Sequence, residues 1–122
     1  MILEYKDSIA IRQRSYKDIW HNLFEYYLVE KPAVNNYRSI LKQAEKEGIL
    51  EKNSYKLISV SKIYNQKLSH QFITGQFINI KLNRKLKLNG GLKWHLKPNL
   101  LKLAFPKIIN QYREEISGVK FD

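Results

Sequence analysis

The chain has 122 residues and a mass of 14.6 kDa, with no cysteine and 22 Lys+Arg against 11 Asp+Glu, a formal net charge of +11. Those values exclude a disulfide framework, a cysteine-ligated zinc site and a thiol nucleophile, while 43% hydrophobic residues supply one modest core rather than a disordered basic tail. Glu4 and Asp7 break the stretch where a secretory signal would be apolar, and no run reaches the roughly 20 apolar residues of a bilayer span, so the expectation is a soluble cytoplasmic protein.

Along the chain, residues 2–14 read as a short strand or an extended arm, with Ile9 and Ile11 alternating between polar neighbours. Ser15 then suits an N-cap, and Ile19, Trp20, Leu23, Phe24, Tyr27 and Leu28 fall at helical spacing, which predicts a helix to about Val29 or Glu30, ended by Lys31-Pro32. A second helix is predicted from a cap at Asn35 or Asn36, with Tyr37, Ile40, Leu41 and Ala44 inward, to Gly48, where a left-handed residue suits the helix end. Residues 49–52 and 55–60 flank Asn53-Ser54 as strand, turn and strand.

Residues 62–75 fit a helical stripe through Ile63, Tyr64, Lys67, Leu68, Gln71 and Phe72, closed by Thr74-Gly75. After Gly75 the period becomes two. Ile78, Ile80, Leu82, Leu86 and Leu88 share one parity, and Leu92, Trp94 and Leu96 follow Asn89-Gly90-Gly91 in the same way, which predicts an antiparallel hairpin. Helical pieces are expected over Leu100–Phe105 and Pro106–Ile116, with Gly118 marking the end. The architecture expected is a single α+β domain over 1–122, helical in its first part, with a basic sheet and a C-terminal helix over 62–122.

The charge is unevenly placed. Up to Ser61 there are ten Lys/Arg against eight Asp/Glu; from Lys62 onward there are twelve against three, and no carboxylate lies between Glu51 and Glu114. Pleat alternation sends Asn79, Lys81, Asn83, Lys85, Lys87, Lys93, His95 and Lys97 to the face opposite the apolar residues, a cationic ribbon suited to phosphates. Arg84 adds to it.

Residues 37–57 resemble the recognition helix and wing of winged helix-turn-helix DNA-binding domains, on Ile40, Leu41, Gly48, Ile49 and Tyr55, with the likeness covering roughly 15–60. The resemblance implies DNA contacts by Arg38, Ser39, Lys42, Gln43 and Lys46 on the helix, and by Lys52 and Lys56 on the wing.

The function expected on these grounds is nucleic-acid binding: duplex DNA first, by a small regulator, and RNA second, as a ribonucleoprotein component. A metal-independent ribonuclease using His95 beside Lys93 is a further alternative, since a titratable imidazole among cations could act on a held phosphate. No cofactor, metal or membrane partner is expected, and a homodimer would be natural for a DNA-binding module. Trp20 and Trp94 read as core residues.

Overall fold

A computed structural model describes residues 1–15, 20–29 and 36–118. Six strands form a mixed sheet: β1 Ile2–Tyr5, β2 Ser8–Gln13, β3 Phe24–Glu25, β4 Tyr55–Lys67, β5 Phe72–Leu82 and β6 Lys93–Leu96. Two α-helices, α1 Tyr37–Lys46 and α2 Lys107–Ser117, and a 3-10 helix over Lys97–Lys102 complete the described elements. An α+β architecture is thus present, with strands where two of the expected helices should lie.

The order across the sheet is β4, β5, β1, β2. Beyond β2, β6 runs antiparallel to Ser8–Ile11 and β3 runs antiparallel to Arg12 and Gln13. β1 and β5 are parallel, in the register Ile2 to Asn79, Leu3 to Ile80 and Glu4 to Lys81, and the other pairings are antiparallel.

At β1 and β2 both faces of the sheet are covered, so Ile2 and Leu3, and Ala10 and Ile11, are buried in pairs, whereas β5 alternates from Ile78 to Leu82 around exposed Lys81. Leu3, Ala10, Ile78, Ile80 and Leu82 pack with Leu41 and Ala44 of α1 and with Leu50 and Leu92 on one face. On the other face Ile2 and Ile11 join Tyr26, Tyr64, Leu100, Phe105 and the α2 residues Ile108, Ile109 and Tyr112. The expected second helix is α1: the Asn36 side chain accepts from the backbone N–H groups of Arg38 and Ser39, and Gly48 turns the chain out at φ 79°. α2 follows Pro106 and stops at Gly118, φ 73°, as its terminal residues predict.

Four expectations are corrected. The helix over 15–30 is absent from described residues 20–29, which form a turn and then β3; residues 16–19 and Glu30 lie outside the described chain. Aromatic residues at helical spacing here are drawn to the sheet, where Phe24 and Tyr26 each pack against Phe105. Residues 62–75 are the distal halves of β4 and β5 joined through 68–71, because pairing from Ile63–Gln76 to Lys67–Phe72 satisfies the backbone that a lone helical stripe would have to satisfy alone. β5 and β6 do not form the expected hairpin: residues 83–92 carry the chain away from β5, and β6 pairs with β2. The turn at Gly90 and Gly91 is real, but both have positive φ inside a longer loop. The expected Leu100–Phe105 piece is instead the 3-10 helix three residues earlier.

Among the described residues no helix is long and apolar enough to cross a membrane.

Candidate ligand cleft

The α2 face is built on aromatic rings. Phe77 of β5 stacks on Tyr112 of α2 at 4.3 Å and 12°, and Tyr64 meets both rings edge-on, at 5.5 and 6.1 Å. Tyr26 stands edge-on to Phe77 at 6.3 Å and continues the row to Phe105. Burial raises the Tyr26 phenol pKa, against an opposing pull from Arg113. Arg113 is itself buried; it donates to Leu100 O and Asn110 Oδ1 and lies 4.3 Å from the Phe105 ring centre, joining α2 to the 3-10 helix.

β1 begins at Ile2, opposite Asn79, so β5 from Phe72 to Ile78 is not paired with β1. A cleft of about 550 Å³ lies along this stretch, between the 26–29 segment and the amino-terminal part of α2. Trp20, Tyr26, Tyr27 and Phe77 contribute rings to its wall, and Gln71, Thr74 and Gln76 contribute polar side chains. Gly75 lines it where a Cβ would come within 3.3 Å of Ile108 Cδ1. Glu25, 4% exposed, accepts from Arg14 Nη1 at 2.5 Å and Arg12 Nε at 2.7 Å. Arg14 also lies over the Trp20 ring, 5.5 Å from its centre. The cleft thus joins apolar rings to a buried carboxylate and guanidinium, the mixture by which pockets orient small polar ligands.

The cationic residues expected to act together are dispersed. Lys81 lies on β5, opposite Lys56 of β4, whereas Lys93 and His95 are on β6, beyond β1 and β2. Lys81, Glu4, Ile9 and His95 occupy one row, so Lys81 and His95 are separated by three strand spacings, roughly 14 Å at about 4.8 Å each. Lys85 and Lys87 are exposed in the 83–92 loop, and Arg84 there approaches Glu51 at 3.5 Å. Lys97 opens the 3-10 helix and forms an ion pair with Glu4. On α1, Arg38, Lys42 and Lys46 are exposed with Ser39, and Gln43 bonds Glu47; Lys52 is in the turn before β4.

His95 is half-buried, its ring edge-on to Phe24 at 6.4 Å, while Lys93 beside it in sequence parity is exposed. Among the described residues no group of three or more His, Asp or Glu gathers to hold a metal ion. Trp94 and Trp20 are both half-buried and packed against the core, Trp94 with its indole N–H donating to Leu86 O and Trp20 also forming part of the cleft wall. The cleft residues Glu25 and Tyr26 were hidden by the helical reading of 15–30, while Arg14 and Phe77 lie outside that range. The available signal was a lone Glu25 inside the aromatic run Phe24-Glu25-Tyr26-Tyr27, eleven residues after Arg14 and thirteen after Arg12.

A mixed sheet with a helix on each face defines the fold. No family model and no curated protein matches the chain in sequence. In three dimensions it is similar to the crystal structure of C. elegans Ap4A hydrolase, with a TM-score of 0.62 and 12% identity over 96% of this chain and 92% of that one. That likeness, together with the strand at Phe24–Glu25, overturns the expectation of a small duplex-DNA-binding regulator. A positive charge excess reports an attraction to anions without naming the polymer, and the winged-helix likeness of residues 37–57, with the helix expected over 15–30, supplied the rest of that expectation.

Proposed function

We propose that the chain binds a nucleoside phosphate, with the base seated in the cleft along β5. The carrying observation is the cleft itself: Trp20, Tyr26, Tyr27 and Phe77 line it together with a buried Glu25–Arg14 pair. Flat rings receive a base by stacking, while a carboxylate and a guanidinium offer an acceptor and donors to its edge. The likeness to a hydrolase named for Ap4A, and the net charge of +11, support a phosphorylated nucleoside over an apolar ligand.

Calorimetric titration with Ap4A, ATP and adenosine tests it. Saturable heat with the phosphorylated ligands is expected, weakened at least tenfold by Trp20→Leu with an unchanged circular dichroism spectrum. Absence of heat with all three ligands at millimolar concentration, or equal affinity in the variant, would refute the reading.

A further inference from the structure

We propose a second site, independent of the cleft, for a multivalent phosphate anion on the sheet face around Lys56 and Lys81. Lys56 of β4 and Lys81 of β5 are directly opposite, so their side chains leave the same face, with Cβ atoms about 4.5–5.5 Å apart. Both are exposed. Like charges placed opposite one another oppose sheet formation, and here neither lysine has an acidic partner among the described residues.

The nearest acid in the row is Glu4, which faces Lys81 from β1, and Lys97 has already taken it as an ion-pair partner. Three ammonium groups therefore share one carboxylate on a single face.

The floor beside them is rich in polar side chains. Asn79 is two residues before Lys81 on the same strand face, and its buried Oδ1 has no hydrogen-bond partner among the described residues. On the other side, Asn83 follows Lys81 at the same parity, with its backbone N–H donating to Ser54 O. Lysine ammonium groups approach an oxyanion as adaptable triple donors, and a phosphate chain carries enough charge to satisfy two or three of them together. A monovalent anion would leave the Lys56–Lys81 repulsion largely in place, so the chemistry favours a polyphosphate. Such a group exists free or as the tail of a nucleotide.

The test uses inorganic tripolyphosphate and ATP with the whole chain, followed by calorimetry and by 1H–15N NMR. Tripolyphosphate is expected to bind at one site and to shift the amides of Lys56, Lys81 and Glu4. The double variant Lys56→Gln/Lys81→Gln should weaken it at least tenfold. Lys42→Gln/Lys46→Gln, which removes the same charge from exposed positions on α1, should change it less than twofold. Equal weakening by the two double variants, or shifts centred elsewhere, would overturn the site. ATP shifting these amides in a Trp20→Leu background would assign the phosphate to a nucleotide; tripolyphosphate alone doing so would assign it to free polyphosphate. Loss of ATP binding only in Trp20→Leu would leave the cleft reading intact whatever becomes of the lysine site.

Discussion

Replacing Glu25 by Gln tests the buried charge cluster on which the cleft rests. Glu25 joins Arg14 and Arg12, and side-chain exposures of 5% for Glu25, 9% for Arg14 and 20% for Arg12 put all three largely out of water. Gln keeps the volume and one acceptor, but it places an NH₂ donor against a guanidinium that has only donors to offer. Removing one member of a buried pair leaves the other charge uncompensated, typically at 3–5 kcal/mol. The partly hydrated Arg12 favours the lower end, so the expected loss is about 3 kcal/mol. At about 2.1 cal/mol/K per residue of unfolding entropy, a chain of this length loses about 4 °C per kcal/mol, so Tm should fall by roughly 12 °C. Urea denaturation at several wavelengths and calorimetry measure it, with an unchanged m-value showing that the unfolded state is not at fault. A loss below about 1 kcal/mol, the range of exposed pairs, would refute the buried-cluster argument.

Other expectations follow from the packing and the titrating groups. Phe77→Ala removes a ring that stacks on Tyr112 and meets Tyr26 and Tyr64, and denaturation should show a loss of about 3–5 kcal/mol. Gly48→Ala places a Cβ at φ 79° in open space, so the cost is conformational alone, about 1 kcal/mol by urea denaturation. Burial, and then the hydrogen bond to Glu115, push the Tyr64 phenol up to about 12 from 10.0. Its folded-state pKa is raised, so its contribution to stability is complete below pH 10 and is lost as pH rises from 10 towards 12. Tyr64→Phe should flatten that part of the stability–pH curve, and an unaltered slope would contradict the assignment.

How much could be read from the residues alone varied by element. α1 was legible because its signals are local: Asn36 caps its own first turn, and Gly48 alone can leave the helix left-handed without strain. α2 was legible for the same reason at Pro106 and Gly118. Residues 62–75 were misread because Ile63, Tyr64, Lys67 and Phe72 satisfy a helical stripe as well as two strands; the choice falls to pairing between β4 and β5, which spacing along one strand does not encode. The cleft was illegible for a related reason. Arg14 and Glu25 meet across β2 and β3, and they meet only if residues 24–25 are strand.

By itself the sequence determined the charge excess, the absence of thiol chemistry, the two capped helices and the glycine turn at 90–91, all properties of composition or of residues within a few positions of each other. Tertiary structure decided the parallel β1–β5 pairing, the transfer of β6 to β2, the covering of both sheet faces and hence the cleft along β5. A two-residue period states that a strand has two faces, but not which strand lies beside it or whether a helix will cover the second face. Those are settled only when apolar surface from distant segments is buried together and the backbone of each edge finds its partner.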